Sequence, residues 1–192
     1  MSRIVAAEYV TADGVMQDPG GRGEIERGAW SNPYWNNELA KVQAELLFAS
    51  DALLLGRVTY EGFAATWPEM EDEEGEFAKR MNAMPKYVAS RTLKSAEWNA
   101  SIITGDVPEA VARLKEQRDR NLLLYGSGAL LNTLLEHDLI DQYRIMIHPV
   151  VLGQGKRLFR EASEEKPLRL VDVSTTSTGV MIADYEPAPI LL

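Results

Sequence analysis

The sequence predicts an α/β fold: a central, mostly parallel sheet with helices on both faces and antiparallel strands at its C-terminal end. Three observations predict it. Between residues 4 and 135, apolar runs of strand length alternate with segments of helical periodicity, the order of a parallel sheet whose crossover helices cover its faces. After residue 141 come three strand-like runs, "DQYRIMIHPVVLG", "LRLVDVSTTS" and "GVMIADYEP", with no helix between the last two. The chain has 192 residues, 45% of them hydrophobic, the size and composition of one unit around one core, so a single domain over 1–192 is expected.

Each element has its own signal. "RIVAAEYVTADG" reads as a strand closed by the turn dipeptide Asp13-Gly14. The Gly-, Pro- and Asn-rich segment 15–35 is too long for a simple connection and is expected to be a functional loop or lid. From Asn36 to Ala49, Leu39, Val42, Leu46 and Leu47 fall on one helical face behind a polar start suited to a cap. "DALLLGRVTYEGF" gives a strand, Gly56 and a helix start, and the acidic stretch 68–80 reads as a solvated loop and the beginning of a helix. "KYVASRTL" is a strand running into Ser90-Arg91. The segment 100–128 repeats the arrangement: a strand, Asp106 as N-cap, Pro108 in the first turn, a helix with apolar Val107, Val111 and Leu114, then a strand over 121–125. A helix from Ala129 to Leu135 follows, and Thr178-Gly179 is placed in the final hairpin.

Composition narrows the function classes. With no cysteine, disulfides, thiolate metal sites and thiol nucleophiles are excluded, and with only His137 and His148 as imidazoles no metal site is expected. A net charge of -9 offers no basic field for nucleic acid or an anionic membrane. No apolar run is long enough to cross a bilayer, and "MSRIVAAEYV" lacks a signal-peptide pattern, so a cytoplasmic location is expected.

The chemistry concentrates at three strand-to-helix turns. Gly126-Ser127-Gly128-Ala129 lets a phosphate approach free backbone N–H groups at the positive end of a helix, or else is a tight packing turn. It lacks the third glycine of a dinucleotide fingerprint and the lysine of a P-loop. In a second turn Arg57 and Thr59 bring a guanidinium and a hydroxyl suited to phosphate oxygens, and Ser90-Arg91 adds another guanidinium at the edge where the C-terminal ends of the strands gather. Each arginine alone reads as a surface residue. Together the turns can hold two ends of a dinucleotide, and Arg57 with Arg91 makes a clamp for an extra phosphate, which favours NADP over NAD. A hydrolytic triad of Ser127, Asp141 and His148 fails on context, because "YGSGA" is not a nucleophile elbow.

The order of "TADG", "GRVTYEGF", "VASR" and "YGSGALLNTLLEHDLIDQYRIMIHPVVLGQGKRLF" resembles the dihydrofolate reductase-like superfamily, in particular the branch related to the C-terminal reductase domain of the bifunctional riboflavin-biosynthesis protein. The resemblance covers nearly the whole chain, and the segment from Gly126 to Phe159 is its most specific part: a glycine pair, a leucine-rich helix, Asp141 before a strand, Pro149, and Gly153 and Gly155 before Leu-Phe. It implies a three-layer dihydrofolate reductase-like fold and an NADPH-dependent reductase that transfers hydride to a C=N or C=O of a small pterin- or pyrimidine-like heterocycle. It implies that Gly126, Ser127, Gly128, Ala129 and Leu130 meet the NADPH pyrophosphate, that Arg57 and Thr59 bind phosphates, and that Ser90 and Arg91 lie near the adenosine 2'-phosphate. The family's adjacent glycine pair is interrupted here as Gly-Ser-Gly.

For catalysis the resemblance implies an acidic residue at the start of the first helix, where Glu38 is the nearest match, and an Asp-Gly near the nicotinamide, here Asp13, which also reads as a turn former. Trp30, Tyr34 and Trp35 could stack on a flat ring or anchor the long loop. The resemblance implies a homodimer as well, and the apolar segment "IMIHPVVLGQGKRLF" is the expected contact surface. The rival reading is an NADP-binding module without catalysis.

Overall fold

A computed structural model describes residues 2–161 and 164–189. The eight strands are β1 (Ile4–Thr11), β2 (Ser50–Gly56), β3 (Lys86–Ala89), β4 (Ala100–Ile103), β5 (Asn121–Tyr125), β6 (Gln142–His148), β7 (Leu168–Thr175) and β8 (Met181–Pro187), and all belong to one sheet in the order β4-β3-β2-β5-β1-β6-β8-β7. The first six in that order are mutually parallel. Only β8 is reversed, antiparallel to both β6 and β7, so the predicted antiparallel end is one reversed strand flanked by two that run with the main sheet.

Five helices cover it: α1 (Asn37–Phe48), α2 (Arg57–Thr66), α3 (Glu71–Ala83), α4 (Val107–Glu116) and α5 (Gly128–Glu136). The strands under helices on both sides have nothing polar to alternate with, which is why "ALLL" and "LLL" appear in β2 and β5. Ile4, Ala6, Val10, Leu54, Leu122 and Leu124 pack with Val111 of α4 and Leu130, Leu131 and Leu134 of α5. Their neighbours Val5, Ala7, Leu53, Leu55 and Leu123 pack on the other face with Leu39 and Leu47 of α1, Tyr60 of α2 and Met81 of α3.

Two helices start on side-chain caps, as their sequences predict. Asn36 accepts the Leu39 N–H at 2.9 Å and Asp106 accepts the Glu109 N–H at 2.9 Å, each contact contributing about 1 kcal/mol. The stretch 68–80 is, as read, solvated and opens a helix, with Glu71, Asp72, Glu73 and Glu74 exposed in the first turn. It continues a 3-10 turn (Trp67–Glu69) into α3, which breaks at Gly75 (φ 54°, ψ -128°), and it buries Ala78 and Met81 beneath the acidic first turn. The acidic residues mask an amphipathic helix, because only one side of it meets the sheet.

The exposed apolar surface lies only in part where it was expected: within 145–159, Val151 and Phe159 are exposed. β6 is paired on both edges, with Tyr143, Ile145, Met146 and His148 all buried. A further apolar face lies on the β7–β8 hairpin. There Leu170, Val173 and Met181 stand on one face of the sheet, 50%, 49% and 37% exposed, with half-exposed Phe159 beside them against Tyr143. No described helix is long and apolar enough to cross a membrane.

Candidate active site

β2, β5 and β3 end side by side, and the turns that leave them are packed together. At the end of β5 the chain reverses through Gly126 (φ 53°) and Ser127 (φ 63°) before α5 begins at Gly128. The left-handed conformation therefore lies at Gly126 and Ser127, whereas Gly128 has an ordinary backbone and starts the helix one residue before its predicted onset at Ala129. The Ser127 hydroxyl accepts the Gly56 N–H at 2.8 Å and donates to the Tyr125 carbonyl at 2.9 Å, so it bridges the two turns. Thr59 closes the contact from the other side: a Cβ at Gly126 would lie 3.2 Å from its Oγ1. Glycine is required at Gly126 both by φ and by that approach.

Unlike α1 and α4, helices α2 and α5 have no side-chain cap; Gly56 and Ser127 leave the first N–H groups of both unbonded by a capping side chain. Two positive helix ends thus meet at one edge, with the polar character an anion's oxygens require. Ala129 is exposed, while Leu130 is buried in the core and offers only its backbone N–H. Arg57 donates from Nε to Glu61 at 2.7 Å and from Nη1 to the Thr92 hydroxyl at 2.6 Å, which ties the β2 turn to the β3 turn. The Ser90 hydroxyl accepts the Thr92 and Leu93 N–H groups at 3.3 and 3.0 Å and shapes that third turn, and Arg91 beside it is exposed. The residues expected to bind the dinucleotide converge on one edge, with Ser127 in a structural role its sequence did not announce.

The long loop crosses this edge. Asp18 (φ 54°) is buried and organises it by accepting the N–H groups of Arg22, Glu24 and Ile25. The Met16 thioether rests on Gly128, and the Arg22 guanidinium reaches α2 and packs on Gly62. Trp30 donates to the Gln17 carbonyl at 2.7 Å, and its ring meets the edge of His148 at 5.2 Å.

A cavity of about 460 Å³ opens beneath, between the sheet and α1, α2 and α3. Its floor is Ala7 and Tyr9 of β1 with Tyr125 of β5 and Gly126 just after it, so it adjoins the edge formed by the three turns directly. Gln43 of α1, Trp35, Phe63, Trp67 and Phe77 form its walls, and the solvent-exposed Glu74 is the one acidic residue of its lining. The Trp67 ring lies 5.3 Å from Phe77 and 6.3 Å from Phe63, and Phe63 meets Tyr125 edge-on at 6.2 Å. Gln43 Nε2 donates to the Tyr9 hydroxyl at 3.0 Å, and burial pushes the Tyr9 pKa up, so the phenol keeps its proton. Behind Tyr9 the buried His148 is held neutral by burial, its ring 4.9 Å from Tyr9 and 5.8 Å from Tyr34, with Nε2 unpartnered among the described residues.

Both acids expected to be catalytic have other partners. Glu38 is exposed on the first turn of α1 and accepts hydrogen bonds from the Ser177 hydroxyl and N–H, both at 2.6 Å, and from Asn36, which lower its pKa. It pins α1 to the β7–β8 turn and does not line the cavity. Asp13 accepts from the Thr11 hydroxyl at 2.6 Å and from the N–H groups of Leu152 and Gly153, which pull its pKa down to about 2. An acid so held stays ionised and has no proton to give. Of the three aromatic residues named for stacking, only Trp35 lines the cavity; Trp30 and Tyr34 brace the loop against His148. Tyr9, Gln43 and Glu74 were missed, because one sits in an apolar strand, one on a helix face and one in an acidic run. The would-be triad is dispersed: Ser127 bridges the turns, Asp141 accepts from Ile4 N–H and Lys115, and His148 is caged by aromatics.

Residues 3–182 match the protein family described as the RibD C-terminal domain. The uncharacterized protein YyaP of Bacillus subtilis is 32% identical over 185 residues, covering 95% of this chain and 94% of that one. Among solved structures, a putative riboflavin biosynthesis protein from Shewanella sp. PV-4 is similar with a TM-score of 0.78 and 21% identity, over 98% of this chain and 100% of that one. Dihydrofolate reductase from Enterococcus faecalis, complexed with NADP(H), has a TM-score of 0.61 and 15% identity, over 96% of this chain and 94% of that one.

Proposed function

The chain belongs to the RibD C-terminal domain family, and on that footing we propose that it is an NADPH-dependent reductase transferring hydride to a C=N or C=O of a small pterin- or pyrimidine-like heterocycle. One observation carries the reading: Gly126, where two uncapped helix starts meet, is also a wall of the aromatic cavity, so a nicotinamide anchored through its pyrophosphate at that edge would end against a ring held in the cavity. The fold and the residues suit the cofactor. The N–H groups of Gly128, Ala129 and Leu130, with Arg57 and Thr59, would hold the pyrophosphate, and Ser90 and Arg91 the 2'-phosphate. Bound NADPH supplies the hydride.

The chain supplies the rest. Trp35, Trp67 and Phe63 hold a flat ring, the loop organised by Asp18 covers the edge against water, and Tyr9 is the proton donor. Its hydroxyl accepts from Gln43, which leaves its own proton for the cavity. Tyr9→Phe should lower kcat about 100-fold with KM little changed, the signature of a lost general acid. An equal rise in KM with kcat intact would make Tyr9 a binding residue only. The test of the whole reading is an NADPH-oxidation screen against dihydrofolate and a panel of conjugated imines and carbonyls. Tight NADPH binding with no oxidation by any of them would favour the non-catalytic module.

NADPH should bind at least tenfold more tightly than NADH. Arg57 is already engaged by Glu61 and Thr92, so Arg91 is the adjustable guanidinium, and Arg91→Ala should remove most of the preference without lowering Tm. Equal affinities in the unsubstituted protein, read by fluorescence titration, would refute the clamp. The exposed face of Leu170, Val173 and Met181 is assigned to a second copy of the chain. Light scattering at micromolar concentration should give a dimer, and Val173→Lys a monomer.

A further inference from the structure

The cavity is large enough for a bicyclic heterocycle, and the chemistry of its walls restricts which one. Resting on the reductase reading above, we infer that the substrate is a flat conjugated ring without anionic groups that carries a basic nitrogen directed at Glu74. The lining is aromatic and apolar apart from Tyr9, Tyr125, Gln43 and Glu74, and among the described residues that line it none is cationic. Several cations on the surrounding elements have partners of their own. Arg57, assigned above to the cofactor pyrophosphate, is bonded to Glu61 and Thr92, Arg80 of α3 donates to the Ser50 carbonyl at 2.6 Å, and Arg144 makes a two-bond pair with Asp184 at 2.7 and 2.6 Å.

A phosphate or carboxylate brought into such a space loses its water and gains no counter-charge, and beside Glu74 it meets a like charge. A protonated amine gains on both counts. The faces of Trp35, Trp67 and Phe77 attract a cation through their quadrupoles, and the Glu74 carboxylate pairs with it directly. Glu74 is set by the break in α3: it is the last residue before Gly75, whose left-handed φ of 54° turns the chain so that Glu74 and, two residues beyond the break, Phe77 both line the cavity. This places the one charged group of the cavity on a segment whose acidity otherwise reads as solvation.

The experiment uses one ring with four arms: 7,8-dihydropterin carrying 6-aminomethyl, 6-methyl, 6-carboxy or 6-phosphooxymethyl, with binding read without NADPH from the fluorescence of Trp35 and Trp67. The aminomethyl form should bind at least tenfold more tightly than the carboxy and phosphooxymethyl forms, with the methyl form between them. Glu74→Gln should weaken the aminomethyl form to the level of the methyl form and leave the methyl form unchanged. Equal affinities, a preference for an anionic member, no binding by any member, or an order unaltered by Glu74→Gln would each overturn the inference. A second series with NADPH separates the two readings. The expected order of binding without any NADPH oxidation would leave the inference standing and overturn the reductase, whereas oxidation with an anionic member preferred would overturn the inference alone.

Discussion

Gly128→Val should weaken NADPH binding at least 100-fold, a loss of about 2.7 kcal/mol, while the protein still folds. Gly128 has no left-handed backbone to lose, and the atom its new Cβ would meet first is Met16 Sδ, near the end of a flexible side chain that can turn aside. The valine would then stand before the N–H groups that open α5, where a pyrophosphate must approach. Gly128→Val combined with Met16→Ala removes the crowding and should remain equally weak. If that double variant binds NADPH like the unsubstituted protein, with a normal circular dichroism spectrum, the turn is a packing device and the cofactor edge is misassigned. Gly126→Ala would act differently, because a left-handed φ costs an alanine about 1–2 kcal/mol and its Cβ would press on Thr59. Ser127→Ala is likewise a stability change: it strips the Gly56 N–H of its partner, a loss of about 1–3 kcal/mol.

The turns were legible because glycine and helix onset are local properties. Gly56, Gly126 and Gly128 announce strand ends wherever they stand, and the parallel alternation of β2 to β5 with their helices places those ends on one edge. What the sequence hid was where side chains point across long separations. Glu38 looked catalytic because it opens α1, yet Ser177, 139 residues away, takes its carboxylate. Tyr9 and Gln43 are ordinary residues of a strand and a helix until the sheet brings them within 3.0 Å. The acidic run before Gly75 conceals Glu74 and Phe77 for the same reason: only the break in α3, a backbone event, turns them to the cavity.

Between Ala7 and Tyr9, both of which line the cavity, Glu8 points to the opposite face of the sheet, and Glu8→Leu should make the protein more stable. Alternation along β1 puts Glu8 with Ile4, Ala6 and Val10 on the α4–α5 side, among leucines. It is 1% exposed, and neither carboxylate oxygen has a hydrogen-bond partner among the described residues. Burial alone pushes its pKa well up, so the folded chain retains a proton that the unfolded chain releases once pH passes about 4.3. Stability therefore falls as pH rises above that point, until the buried acid itself ionises. His148, whose pKa burial lowers, gives the opposite slope below about pH 6.5, so the informative quantity is the difference between the unsubstituted protein and the variant at each pH. Glu8→Gln keeps the shape and cannot ionise, and it should remove the pH-dependent part alone. Glu8→Leu also removes the unpaired polar group, which in a protein interior costs about 1–3 kcal/mol, and it should be the more stable of the two in urea at pH 8. The cavity would be untouched by either change, since only Ala7 and Tyr9 face it. If Glu8→Leu is instead less stable than the unsubstituted protein at pH 8, the carboxyl has a partner in solution, and the strand that floors the cavity carries a polar contact through to its far side.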